Sequence, residues 1–560
     1  MGHRIGFAFA AAGTLILTAG LALAQVPMTP LDFRVPGTQF GDMPATNLQK
    51  AGNCRTCHGD FNASAEPYAT WAGSLMALGG KDPLFFAQMT NANQDVANVG
   101  TFCLRCHVPV AVVRGHADDA SGNSLDARDK EGVTCHFCHS MVDPQYQAGV
   151  SPQEDAAILA ALTDVPQFTS NAMFVLDPEG RRRGPRSDHQ ADHELLVSPF
   201  LRDARLCGTC HDVGNVAVSR QANGSYRYNA FNAEAPDHDP WTQFPLERTF
   251  TEWQLSAFAN GGVDMGGRFG GNRGAVVSSC QDCHMPTAAS QACSYGPQRQ
   301  DMATHDFAGA AVPSLDLIAA WTANDPTVDP AHIAAGRAKA LSMLQRAATI
   351  ELSRSAGTVL ARVVNQTGHK LPTGHIEGRR AWLNLRLFDA AGNLLLEKGH
   401  YDAAQAHLDE ADTTVYEMQV ALSDDAAAAT GKPAGVTTHM ALADTIWKDT
   451  RIPPRGFDNA AFAAGGAPAV GISYADGQYW HDTTVAIPAN AVRVDATIYY
   501  QSLTRHYIEA LRDGNTTDHW GQTLHDLWQS TGRGAPIAMA SERLTWGAGV
   551  FGDDFENDVP

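Results

Sequence analysis

Gly132-Val-Thr-Cys135-His-Phe-Cys138-His139 is the stretch whose reading decides how this chain folds. Two thiols three positions apart are followed at once by a histidine. The same unit recurs as Cys54-Arg-Thr-Cys57-His58, Cys103-Leu-Arg-Cys106-His107, Cys207-Gly-Thr-Cys210-His211 and Cys280-Gln-Asp-Cys283-His284. On one local turn, both thiols can add to the vinyl groups of a single porphyrin, and the next residue then lies beneath the iron as its proximal ligand. A redox dithiol or half a zinc site would also use Cys-x-x-Cys. Neither accounts for a histidine after every pair, nor for five repeats. The motif therefore predicts five haem c groups, held by ten cysteines, with His58, His107, His139, His211 and His284 as proximal ligands.

Upstream, Arg4 precedes an apolar run from Ile5 to Leu23, and Ala22-Leu23-Ala24 before Gln25 fits a small-residue cleavage site. Residues 1–24 read as a secretory signal peptide, with an uncleaved anchor as the alternative, and the expected location is periplasmic or exported. No later stretch approaches 18 uncharged apolar residues, so no transmembrane segment is expected in the mature chain. The 560 residues are 44% hydrophobic and 18% charged, with a formal net charge of −20. That balance excludes nucleic-acid binding by bulk electrostatics and suits a redox protein donor and acceptor of basic surface. Disulfides would be the default for 11 cysteines outside the cytoplasm, but the spacing overrides it. Cys293 is left over, as a buried thiol or an intermolecular bridge.

An iron with a second axial side chain is usually an electron carrier, whereas an open one can bind a substrate. The chain has 22 histidines; five close the motifs and 17 remain. His116 follows the second motif after an apolar stretch. His136 lies inside the third. His189 and His193 are spaced to share a helical face. His305 follows the last motif, and His369 and His375 frame Gly368-His-Lys-Leu-Pro-Thr-Gly-His375. These seven are the candidate distal ligands. Met285 and Met302 are the nearby methionines, with Met285 badly placed beside a proximal histidine. No distal histidine closely follows His58, which makes the first motif the candidate for an open iron. The run Arg181-Arg182-Arg183-Gly-Pro-Arg186 reads either as a solvated loop or as a partner for haem propionates.

The fold class expected is α+β. Residues 25–310 form a mainly helix-and-loop pentahaem domain, with a helix near Glu66 to Gln88 broken at Gly79-Gly80 and Pro83. Residues 311–350 form a linker whose helix starts at Asp329-Pro330 and runs through Ile333 to Thr349. Residues 351–560 form a C-terminal antiparallel β-sandwich-like domain. Its strands are Thr358 to Val364, Ala381 to Phe388, Leu394 to Glu397 and Val492 to Tyr500, with an irregular insertion near 420–480 and two short terminal helices.

With these motifs in hand, the chain resembles the multihaem cytochromes c of the group that includes the tetrahaem cytochrome serving hydroxylamine oxidoreductase. The resemblance is carried by Trp71-Ala-Gly-Ser74, Asp82-Pro-Leu-Phe85, Phe102-Cys-Leu-Arg-Cys-His107, Gly132 to His139 and Asn365-Gln-Thr-Gly-His-Lys-Leu-Pro-Thr-Gly374. It implies electron transfer through closely packed, mostly bis-histidine haems, with His369 similar to a distal ligand. The chain departs from catalytic relatives in having fewer haems than hydroxylamine oxidoreductase and no Cys-x-x-Cys-Lys unit like that of pentahaem nitrite reductase. The leading expectation is an electron carrier. One alternative is an oxidoreductase with one open haem acting on a small nitrogen or sulfur compound. Another is a polymerising or partner-docked electron conduit.

Overall fold

The computed structural model describes residues 25–44, 47–271 and 274–547. The leader assigned to residues 1–24 lies outside the described residues.

All five motifs sit on short helices: α1 (Ala51–His58), then α2 (Pro83–Asp95) without a motif, α3 (Val99–His107), α4 (Cys135–His139), α5 (Ala204–Gly208) and α6 (Cys280–His284). In a helix, residues i, i+3 and i+4 share a face, so the two thiols and the histidine of each motif point the same way. Even a one-turn helix holds when its free amides are capped. Thr134 Oγ1 accepts from Phe137 N at 3.3 Å, and Ser279 forms a capping box with Asp282. The fourth motif closes just past its helix, where His211 N still bonds Cys207 O at 2.9 Å.

The segment expected to be a broken helix from Glu66 to Gln88 is broken as read. Pro67–Ala72, Leu75–Leu78 and a 3₁₀ turn at Gly79–Lys81 precede α2, which continues to Asp95. Asp82 accepts from Leu84 N at 2.9 Å, and Pro83 occupies the first turn of α2, where its missing N–H costs nothing.

The linker holds two packed helices, α7 (Val312–Trp321) and α8 (Pro330–Leu344), the second capped by Asp329 as expected. A Cβ on Gly336 of α8 would stand 1.8 Å from Gly73 O, so glycine lets this helix touch the Pro67–Ala72 turn backbone to backbone. The helix stops at Leu344 instead of running to Thr349. Ala348 already pairs with Asn365 as the first residue of strand β1 (Ala348–Ser355), where β-branched Thr349 and Ile350 fit a pleated surface better.

Two antiparallel sheets follow. The first joins β1, β2 (Thr358–Asn365) and a later strand. The second is built on β3 (Arg380–Asp389), β4 (Leu394–Lys398) and β5 (Val415–Tyr416), which both pair with β3. Strand β6 (Trp480–Ala486) completes the first sheet beside β2, and β7 (Ala491–Gln501) pairs with β3 in the second. Val359, Ala361 and Val363 of β2 alternate inward toward Leu383, Leu385 and Leu387 of β3 and Val494, Ala496 and Ile498 of β7. The four strands read from the sequence are present, slightly extended. The terminal helices α9 (Arg505–Gly514) and α10 (Trp520–Ser530) are present too. Strand β8 (Ile537–Thr545) was not expected. Its polar Ser541, Glu542 and Arg543 mask the alternation, but Met539 is buried and the strand pairs along β7.

The lobes interlock. Tyr507, Ile508, Leu511, Leu524 and Trp528 of α9 and α10 pack with Ala87 of α2 and Leu317 of α7. The insertion sends Leu422, Ala426 and Leu442 onto Val26, Met28 and Phe33 near the beginning of the described chain. No helix of the described residues is long and apolar enough to cross a membrane.

Candidate functional site

A cavity of about 1240 Å³ runs between the lobes, and all ten motif cysteines and all five motif histidines line it. The motifs abut one another. The Cys54 thiol meets that of Cys135, Cys106 meets Cys210, and Cys207 meets Cys280. Cys138 lies within electrostatic reach of Cys207. The first motif thus adjoins the third, the third approaches the fourth, and the fourth touches both the second and the fifth.

The chain orients the motif histidines through one ring nitrogen. Nδ1 of His58 bonds the Ala292 carbonyl, that of His139 the Arg183 carbonyl and that of His284 the Ala308 carbonyl, each at 2.7 Å. A proton fixed on Nδ1 leaves the Nε2 lone pair free to ligate. Burial lowers the pKa of all three, which keeps the imidazoles in the neutral, ligating form. His211 differs: its Nδ1 lies 3.3 Å from Glu247 Oε1. Burial opposes its charged form, but Glu247 outweighs burial and raises its pKa to about 9. His107 is held by stacking, its ring 3.9 Å from that of Phe85 at 12°.

Three motif histidines each face one other histidine. Ring centres are 6.4 Å apart for His58 and His193, 6.3 Å for His139 and His305, and 6.4 Å for His284 and His369. Two imidazoles bound end-on to one ion by bonds of about 2 Å place their centres about 6 Å apart. Burial pushes His305 down to about 3 and His369 down to about 4, so these partners are neutral as well. Neutral facing imidazoles, paired thiols and largely apolar walls fit haem iron at these three positions.

The loop that carries His369 is fixed by buried charge. Lys370 Nζ lies 2.8 Å from Asp449 Oδ2, and Arg451 bridges Asp449 at 2.7 Å and Glu252 at 2.9 Å. Glu252 Oε2 also accepts from Lys370 N at 3.0 Å and from Thr373 Oγ1 at 2.7 Å. His139 is supported similarly. Arg183, whose carbonyl accepts from it, is fully buried and paired with Asp155 at 2.5 Å and Asp177 at 3.0 Å.

The other candidates make no such ring pair among the described residues. His116 is outside the cavity wall and bonds Asp129 Oδ2 at 2.9 Å; closeness in sequence to the second motif did not bring it to the iron side. His136 has both ring nitrogens engaged, Nδ1 with Gln49 N at 2.7 Å and Nε2 with Gly180 O at 2.8 Å, and so offers no lone pair to a metal. His189 lines the cavity and its Nδ1 has no hydrogen-bond partner. His375 bonds the Tyr507 hydroxyl through Nε2 at 3.0 Å. Met285 and Met302 reach the wall, as does Cys293, which is in no disulfide. The first motif, the candidate for an open iron, is the one His193 faces.

The arginine run divides. Arg181 pairs with Asp177 at 2.9 Å, Arg183 is buried as described, and Arg186 pairs with Asp301 at 2.9 Å. Arg182 lines the cavity and, unlike the other three, makes no ion pair among the described residues, placed to meet an acidic group beside His58 and His139. Sequence reading missed Glu247, Arg379, Tyr507 and Gln88. None belongs to a motif, and only the fold brings them to the cavity wall.

No protein-family model matches this chain, and no curated protein matches it. Among solved structures, a penta-heme cytochrome c552 from Thermochromatium tepidum is similar with a TM-score of 0.48 and 18% identity. The match covers 89% of this chain and 99% of that one.

Proposed function

We propose that this chain is an exported five-haem c-type cytochrome that carries single electrons between redox proteins. The observation that carries the reading is the set of three histidine pairs, each uniting a motif histidine with one from a distant segment at the span of an axially ligated ion. Bound haem supplies one-electron redox chemistry, and six-coordination by two histidines favours electron transfer over substrate binding. The five cysteine pairs would hold the groups and His58, His107, His139, His211 and His284 would lie proximal. His193, His305 and His369 would be distal to the first, third and fifth. Backbone carbonyls fix three of the rings that would lie proximal, which would hold those ligands in one orientation. The abutting motifs support a continuous route, with the fourth motif as its junction. The acidic surface suits basic partners.

The test is a pyridine haemochrome assay with low-temperature electron paramagnetic resonance of the oxidised protein. Five haems per chain with at least three low-spin irons is the expected result. Mostly high-spin iron would overturn the electron-carrier reading.

A further inference from the structure

The two residues between the cysteines differ from motif to motif, and they differ in depth. Leu104 and Arg105, His136 and Phe137, and Gly208 and Thr209 are buried, and Gln281 is buried beside a half-buried Asp282. Polar side chains among them turn inward: Arg105 donates to Thr38 O at 3.0 Å, and Gln281 donates to Asp203 O at 2.8 Å. Helix α1 is the exception. Its Gly52, Asn53, Arg55 and Thr56 are exposed, and Arg55 reaches outward to Asp60 at 2.8 Å. The first motif is therefore the one that presents its cysteine-bearing turn to solvent. It also stands at one end of the run of abutting motifs, meeting the third through Cys54 and Cys135.

The segment that wraps this turn reaches the surface as well. Ala292 O accepts from His58, and Ser294 N donates to Cys57 O at 2.8 Å. Next in the chain, the Tyr295 hydroxyl meets both the Cys57 sulfur and the Asp192 carboxylate. Tyr295 is 57% exposed, so a ring open to solvent touches a sulfur of the motif. Around it Asp60 cancels Arg55. Exposed Asp192 and Asp329 and half-buried Glu131 remain against exposed Lys50, in a chain of formal net charge −20. Arg182 is within reach of the same motif but lines the cavity. A surface aromatic with an acidic rim complements an apolar contact ringed by Lys and Arg.

We propose that the first motif is the port for electron exchange, and that the surface around Thr56 and Tyr295 docks a small basic redox protein. This port rests on the five-haem reading. Docking brings the partner's redox centre to the one motif turn that protein leaves uncovered among the described residues. The step moves one electron, oxidising one protein and reducing the other by one; no bond forms or breaks. The rival port is the fifth motif, whose neighbouring Val276 is 57% exposed.

The experiment uses the holoprotein, with its haem count established first. A count below five overturns the reading beneath the port; a count of five isolates the port for testing. Reduced holoprotein, freed of excess reductant, is mixed in stopped flow with an oxidised basic monohaem cytochrome c, and the acceptor's absorbance is followed. The second-order rate constant should fall as salt is raised. At low ionic strength Thr56→Lys should slow the reaction by about threefold or more, one charge's share of the roughly 10- to 1,000-fold that charge clusters add to association rates. Thr56→Glu should speed it, and both effects should shrink at about 0.15 M salt, where the Debye length is about 8 Å. Val276→Lys, the same change of charge beside the fifth motif, should alter the rate far less. Unchanged rates in both Thr56 variants overturn the port, as does equal slowing by Val276→Lys. Slowing by both Thr56→Lys and Thr56→Glu overturns the charge match. Loss of one haem in both Thr56 variants would show that this residue serves attachment, and would overturn a free docking face.

Discussion

Replacing Asp449 with asparagine should unseat the loop that presents His369. Lys370 and Arg451 are balanced by Asp449 and Glu252, and the four charges cancel in a volume where Lys370 is 1% and Arg451 4% exposed. Asp449→Asn keeps the shape but leaves one uncompensated positive charge. Removing one partner of a buried pair costs about 3–5 kcal/mol, a large part of the roughly 5–15 kcal/mol that keeps a domain folded. Guanidinium denaturation followed by far-ultraviolet circular dichroism reads the loss. The same protein should show extra high-spin iron, because Lys370 is the residue after His369 and shares its anchors. The double variant Asp449→Leu with Lys370→Met removes opposite charges together and should recover most of the stability, since apolar replacement of a buried pair is often neutral. A loss below about 1 kcal/mol in the single variant, or a double variant no better than the single, would refute the reasoning.

His193→Ala, His305→Ala and His369→Ala should each convert one further iron to a high-spin, carbon-monoxide-binding form, while His116→Ala and His136→Ala should convert none; electron paramagnetic resonance and reduced-minus-CO spectra check this. Glu247→Gln should raise the midpoint potential of the fourth-motif haem by about 60 mV, a tenfold change in a one-electron equilibrium, because the carboxylate beside His211 favours the more positive oxidised iron; spectroelectrochemical titration reads it. Gly336→Ala should cost about 1–3 kcal/mol by overpacking, since its Cβ would meet Gly73 O at 1.8 Å, and a neutral effect in thermal unfolding would contradict that contact.

The five Cys-x-x-Cys-His units were legible because their pattern is local: two thiols and a histidine within five residues suffice to read it. His305 and His369 were legible as candidates, but their partners were not. Which motif histidine each faces depends on how segments far apart in sequence are packed. His116 misled through proximity, because the turn after Val113 sends its ring to Asp129 instead of the cavity. His136 misled for the opposite reason. Lying inside a motif, it is held near the cavity, but its helix points the ring toward Gln49 and Gly180. In the β lobe, strongly alternating strands such as Arg380–Asp389 could be read directly. Ile537–Thr545 could not, since a strand with one half-open face and polar side chains takes its identity from the neighbour it pairs with. Arg379 carries no motif signal, and Tyr507 reads only as part of the apolar face of a terminal helix.

The His284–His369 pair joins a motif of the first lobe to a loop of the β lobe, and chain growth gives that pair a direction in time. The polypeptide emerges N-terminus first, so every attachment motif is complete before the loop that supplies His369 exists. On the five-haem reading, the fifth iron reaches its final axial state only after the sandwich has folded and the Lys370 anchor has closed. Its absorption band would then act as a maturation marker within the chain. A truncated or stalled product could carry a full set of bound haems and still be told apart, by colour alone, from the finished protein.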